Sequence, residues 1–233
     1  MPPGGVRGGI FLHAPYSVST ELRDRARDFA RKQRLLLATH LFESREEIEL
    51  LTHGTGALFA AIDAMGMARF LAAPSTIADA ITCHAIEGTL LIHLASLAPD
   101  DAARLPSGAI AVLCPRSNQN LGVGPAPHEA LRRAGVVLAL GTDSRATVSN
   151  LDMRDEMRAA CDAYGIAPVE AFAMATLGGA AAAADPSLGR IGAGDTATFM
   201  AVNDDGCADV FEALLGSGAV SSLWLGGQPW VKA

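Results

Sequence analysis

Short apolar runs alternate with longer amphipathic stretches from about residue 9 to about residue 184. Gly9-Ile-Phe-Leu-His13 predicts a strand that closes in a Pro-containing loop, Ala14-Pro15-Tyr16-Ser17. Ser19 predicts the cap of a helix reaching Gln33, with Leu22, Ala26, Phe29 and Ala30 on one face and Arg and Asp on the other. Leu35-Leu-Leu-Ala-Thr-His-Leu41 predicts a buried strand, and Ser44-Arg-Glu-Glu47 a capping box that opens the next helix. Residues 54–88 are Ala-rich and helical in pattern, interrupted by Gly54, Gly56 and Pro74. Three more strands are expected at 89–94, 109–113 and 136–140. Helices are expected at 127–134, 151–163 and 168–184, with residues 121–127 as a Gly/Pro-rich loop.

Strands of continuous apolar character alternating with amphipathic helices predict a parallel sheet covered by helices. A right-handed series of this kind gives either a doubly wound sheet or a barrel. From Gly189 the texture changes: Gly189–Asp195, Thr198–Val202 and Val220–Leu225 predict short strands joined by turns, a small β appendage. The expected domains are therefore 1–188 and 189–233.

Composition narrows the function classes. Half of the 233 residues are apolar, 18% are charged, and the net charge is -7. Such a chain collapses into a core rather than staying disordered. The acidic balance gives no electrostatic reason to bind nucleic acid or an anionic membrane. No run approaches 18 uninterrupted apolar residues, so no membrane span is expected. The opening Met1-Pro-Pro-Gly-Gly-Val-Arg-Gly lacks a signal-peptide core, which points to the cytoplasm. Cys83, Cys114, Cys161 and Cys207 form no CxxC pair and read as reduced, mostly buried residues.

The informative chemistry is positional. His13, His40, His93 and Asp143 each close a predicted strand, and in a βα barrel that end carries the active site. A lone histidine there would ordinarily be a structural hydrogen-bonder, but four such residues on successive strands point to a site. Imidazole with carboxylate suits zinc or ferrous iron better than magnesium or calcium. A bound divalent cation would lower the pKa of its water and supply hydroxide near neutral pH. Glu43, three residues after His40, is placed to shuttle a proton, although a charge on a first helical turn is also favoured by the helix dipole. His84 reads as a helix end beside the strand histidine His93, and His53 and His128 lack strand context.

Together His40-Leu-Phe-Glu-Ser-Arg-Glu-Glu47, Cys114-Pro-Arg-Ser-Asn118, Gly141-Thr-Asp-Ser144 and Ser149-Asn-Leu-Asp-Met153 resemble the amidohydrolase superfamily. The branch is that of the chlorohydrolases and the guanine, cytosine, adenosine-type and aminofutalosine-type deaminases. His13-Ala-Pro-Tyr-Ser-Val-Ser19 and Gly189-Arg-Ile-Gly-Ala-Gly194 match that branch too, so the resemblance runs from about residue 9 to the end. It implies a partial (β/α)8 TIM-type barrel, with strands equivalent to the fourth to eighth, plus the C-terminal appendage. It also implies a metal-dependent hydrolase, a deaminase of an aminated purine-like or nucleoside-like small molecule, using metal-bound hydroxide. By resemblance, His40 and Asp143 are metal ligands, and Asp143 also takes the proton from the metal's water. Glu43 protonates the ring nitrogen and helps ammonia leave. His93 holds the attacking water or the developing charge, and His13 orients the substrate. Arg116 and Ser117, with Asn118, lie in the loop after the seventh strand, where they either face the substrate or serve the turn itself.

The sequence also departs from the family pattern. The two histidines separated by one residue on the first barrel strand, half of the metal site, are absent from the 233 residues. Three accounts follow: a catalytically incomplete fragment or interaction protein; a chain that pairs with an N-terminal segment or with another copy of itself; or a self-contained site of His40, His93 and Asp143. The stretch Ser144–Asn150 is longer than the family's usual link.

Overall fold

The structure, a computed structural model, describes residues 8–230 apart from 205, 208 and 217. The opening segment 1–7, expected to carry no leader, lies outside the described residues. The chain divides into two compact units, Met1–Leu113 with Leu121–Leu138, and Cys114–Asn120 with Ala139–Ala233.

The predicted alternation is present. In chain order the elements are β1 (Gly9–Phe11), α1 (Thr20–Gln33), β2 (Leu36–Leu41), α2 (Arg45–His53), α3 (Gly56–Ala64), a 3-10 turn at Ala68–Phe70, α4 (Ile77–His84), β3 (Thr89–His93), β4 (Ile110–Leu113), α5 (Pro115–Leu121), α6 (His128–Arg133) and β5 (Val137–Leu140). After β5 come α7 (Met153–Tyr164), α8 (Pro168–Ala173), which continues through a π-turn into α9 (Gly179–Ala182), β6 (Phe199–Val202), α10 (Val210–Leu215), β7 (Val220–Leu225) and β8 (Gln228–Pro229). The fold is α/β. Its main sheet has the order β1-β2-β3-β4-β5, and the first three pairings are parallel. In the first unit, β5 begins its pairing where Val137 N donates to Ala109 O at 2.9 Å.

Within the first unit the alternation of each strand decides what is buried. Leu37, Thr39 and Leu41 of β2 are buried while Leu36, Ala38 and His40 are half-buried. Helix α1 begins where Ser19 Oγ accepts from Leu22 N, as the cap pattern predicts. It brings Ala30 against Leu12 and Leu37, with Val18, Ala26 and Ile86 completing that part of the core. Arg34 ends α1 in the left-handed region (φ 53°) and returns the chain to β2.

The second unit carries α7 to α10 and a separate antiparallel sheet, β6-β7-β8. Phe199 pairs with Trp224 across β6 and β7, their rings stacked at 5.9 Å. Two expectations fail here. Residues 189–195 form turns rather than a strand, because Arg190 pairs with Asp195 at 3.0 Å and pins the segment on itself. Residues 210–215 form α10, capped by the Asp209 carboxylate accepting from Phe211 N. Likewise, 115–121 is a short helix, so Arg116, Ser117 and Asn118 stand on α5 rather than in a loop. Among the described residues no helix is long and apolar enough to cross a membrane. All four cysteines are free.

Candidate active site

In the first unit four expected residues meet at the C-terminal ends of β1, β2 and β3. Pairing continues past the end of β1, where His40 N donates to His13 O at 2.9 Å. Phe11 and His13, two residues apart, share the face of Ala38 and His40. The His13 and His40 rings are 5.3 Å apart, edge to face, and Phe11 lies 4.7 Å from His40 on the same face.

His93 reaches this face against the pleat. In the parallel register His40 stands opposite Ile92, and Leu41 opposite His93, so a regular strand would send the His93 ring to the opposite side. The backbone at His93 and Leu94 is left-handed instead, with φ 75° and 51°. The alternation breaks, and the His40 and His93 rings sit 5.2 Å apart. Phe42, just beyond β2, is left-handed too, at φ 52°. Non-glycine residues in this region cost on the order of 1–3 kcal/mol each and persist where surrounding packing enforces them. Phe42, His93 and Leu94 are all buried.

Glu43 extends from the same edge, its Oε1 3.5 Å from His93 Nε2. Its placement depends on Glu47. The Ser44 hydroxyl caps Glu47 N as expected, but the Glu47 carboxylate reaches past Ser44 to accept from Glu43 N at 2.8 Å. This modified capping box fixes the backbone of the candidate proton carrier. The Glu47 side chain is buried, its Oε1 lacks a hydrogen-bond partner, and burial pushes its pKa up to about 7. Tyr16 lies nearby: burial, then the Glu47 and Glu43 charges, push its phenol up to about 12. It stays protonated at neutral pH.

His13 is exposed, with Nδ1 2.6 Å from the Ser17 hydroxyl. His84 closes α4 rather than a strand, as expected. Burial and the Arg23 and Arg27 charges drive its pKa down to about 4. His53 is exposed at the end of α2, and His128 is half-buried at the start of α6.

Asp143, Ser117 and Arg116 belong to the second unit. Asp143 is half-buried and left-handed (φ 59°). Its Oδ2 accepts from Ser117 Oγ at 2.6 Å and from Thr147 Oγ1 at 2.9 Å. Ser117 is fully buried, so its hydroxyl orients the carboxylate. Arg116 takes part in a different network. Its guanidinium donates to Asn150 Oδ1 at 3.0 Å and approaches the buried Glu156 Oε2 at 3.6 Å, and its backbone N–H donates to Glu156 Oε1 at 2.9 Å. Glu156 has a raised pKa, chiefly through burial. Thr147 was not singled out from the sequence. The signal was the extended Ser144–Asn150 link, which carries the residues that hold Asp143 and Arg116.

Each unit by itself offers donors suited to a borderline metal: the paired imidazoles of His40 and His93 in the first, and in the second a carboxylate already oriented by two hydroxyls, which are nitrogen and oxygen ligands of zinc type. Over residues 1–229 the sequence matches the amidohydrolase family. The chain belongs to the amidohydrolase family. It is 33% identical over 188 residues to an aminodeoxyfutalosine deaminase of Deinococcus radiodurans, covering 75% of this chain and 45% of that protein. It is 32% identical to a 5-methylthioadenosine/S-adenosylhomocysteine deaminase of Teredinibacter turnerae, covering 95% of this chain and 50% of that one. The fold matches aminofutalosine deaminase of Helicobacter pylori with a TM-score of 0.84 at 25% identity, covering 96% of this chain and 59% of that chain. An adenosine deaminase from Xanthomonas campestris, solved with bound zinc, matches with a TM-score of 0.72 at 26% identity, covering 95% of this chain and 51% of that chain. This amidohydrolase chain thus spans about half the length of the curated relatives it matches.

Proposed function

We propose that this amidohydrolase chain carries the proton-transfer and part of the metal-binding machinery of a zinc-dependent deaminase acting on adenine nucleosides. The observation that carries the reading is the convergence of His13, His40, His93 and Glu43 at adjacent strand ends. The sheet order supports five strands equivalent to the fourth to eighth of a (β/α)8 barrel, with 1–188 as the barrel part and 189–233 as the β appendage. The free cysteines fit a reducing cytoplasm. The partner is a small-molecule substrate, and a complementing N-terminal segment would supply the histidine pair.

His40 and Asp143 would hold the zinc, which supplies a Lewis acid that lowers the pKa of water at the site. Glu43 delivers a proton to the purine nitrogen beside the aminated carbon, which makes that carbon electrophilic. Glu43, now ionised, takes the remaining hydroxyl proton as the carbonyl forms, and the water proton held by Asp143 passes to the departing amine, so water and the amino group become a carbonyl and ammonia with both carboxyls restored. His93, held 3.5 Å from Glu43, donates a hydrogen bond to the charge that develops at the reacting carbon's new oxygen. Asp143 accepts the proton of the attacking water. His13, fixed through Ser17, contacts the sugar side of the nucleoside. Ser117 acts through Asp143, and Arg116 shapes the wall beside it.

The test is ammonia release from adenosine and 5′-methylthioadenosine by the purified chain, with Glu43→Gln and Asp143→Asn as controls. Release that disappears in both variants supports the roles, whereas equal release in all three proteins would overturn them.

A further inference from the structure

Away from the strand ends, the first unit holds a cavity of about 430 Å³ lined from α1, α2 and α4. His13, His40, Glu43 and His93 take no part in its lining, and it shares with their edge only the Pro15-Tyr16 loop. Leu50, Phe59 and Leu71 give it an apolar wall. Its charged residues are Arg23 and Asp79, and His84 lies within reach of the Arg23 charge.

The cationic end is under-compensated. Arg23 and Arg27, four residues apart on one face of α1, have side chains only 12% and 17% exposed. Both turn to the more exposed Asp24, whose Oδ1 lies 2.9 Å from Arg23 Nε and 3.6 Å from Arg27 Nη1. Arg27 also donates to the Cys83 carbonyl. Among the described residues nothing accepts from the two terminal nitrogens of Arg23. A guanidinium largely withdrawn from water needs acceptors for that fork, and one solvent-screened carboxylate shared by two cations does not supply them. His84 registers the surplus: burial, then the Arg23 and Arg27 charges, drive its pKa down to about 4, so it stays neutral at neutral pH. Asp79 does not fill the gap, because its Oδ2 is held by Thr76, accepting from N at 3.2 Å and from Oγ1 at 2.7 Å.

We propose that this cavity binds a small organic monoanion, a carboxylate on an aryl or alkyl body. The carboxylate pairs with the terminal nitrogens of Arg23, and the body lies along Leu50, Phe59 and Leu71. A guanidinium fork matches the two oxygens of a carboxylate. A cavity of this volume, mostly apolar with a few convergent polar groups, has the make-up of a small-molecule site. A bare inorganic anion would satisfy Arg23 but leave the apolar wall in water. The site goes beyond the deaminase reading and does not depend on it, since no residue given a part in that reaction lines the cavity.

The test is isothermal titration calorimetry of the full chain at neutral pH with 3-phenylpropionate, its neutral amide 3-phenylpropanamide, and acetate. The phenylpropionate should bind about tenfold or more tighter than the amide, through its charge-assisted hydrogen bonds. It should also bind tighter than acetate, through its apolar body. Arg23→Gln should erase the advantage over the amide, and Arg23→Lys, which keeps the charge but loses the fork, should restore only part of it. A reading on the native chain stands even where those variants fail to fold: the His84 ring signals in ¹H–¹³C spectra, assigned through His84→Gln, should move as phenylpropionate is added. Equal affinity for phenylpropionate and either comparison compound, undiminished binding by a folded Arg23→Gln, or unmoved His84 signals would overturn the site.

Discussion

The histidines of the first unit and the aspartate of the second are held in opposite ways. His13, His40 and His93 are placed by the main chain: strand register, hydrogen bonds between neighbouring backbones, and a left-handed residue that breaks the pleat. Asp143, although its backbone is also left-handed, has its carboxylate held by side chains, with two hydroxyls on one oxygen. Main-chain placement tolerates changes nearby as long as the strands pair. Side-chain placement fails one atom at a time. The acid–base edge of the first unit should thus be the sturdier, and the carboxylate of the second the more easily detuned.

The bluntest way to break the contrast is to delete a ligand on the sturdy side. His40→Ala should abolish both zinc uptake, measured by metal analysis after dialysis, and ammonia release, while circular dichroism shows an intact fold. Next in size is Glu43→Gln, which should lower kcat about a hundred- to ten-thousand-fold with zinc content unchanged. Ser117→Ala removes one of the two hydroxyls on Asp143, and its expected cost is about 10–100-fold in zinc affinity. A competition titration against a chelator measures it. If Ser117→Ala left zinc affinity intact, the detuning argument would be lost.

The smallest effect concerns pH. The Glu47 pKa is raised to about 7 from an ordinary 4.5, mainly by burial, with Glu43 adding to the shift. Its protonated form is therefore favoured on folding. That contribution is complete below the unfolded value and is lost as pH rises through about 7. Urea midpoints of Glu47→Gln should be flatter than those of the native chain between those two values. A native chain that gained stability across the same window would contradict the assignment.

Much of this was legible because strand ends and histidines are both conspicuous in sequence. The runs ending in His13, His40 and His93 are apolar and short, and α1 carries a cap that reads as one. What stayed hidden has physical reasons. Helices α5 and α10 span seven and six residues, too short to be stable by propensity, so packing decides them. Thr147 is an ordinary polar residue until the chain folds back four positions to Asp143. Glu47 looks like a cap because its spacing from Ser44 is right. That the carboxylate goes one residue further, to Glu43, depends on the turn at Phe42.

That turn has a counterpart at Leu94, which sets a limit on improving this protein. Leu94 is left-handed at φ 51° and fully buried, and its N–H donates to Leu41 O at 3.1 Å. Glycine would relax the backbone there but would remove a core leucine and leave a void, a loss of several kcal/mol. Any other side chain inherits the strain. Stabilising substitutions are best sought away from residues 93 and 94, because there the conformation that presents the imidazole and the packing that keeps the chain folded are the same few atoms.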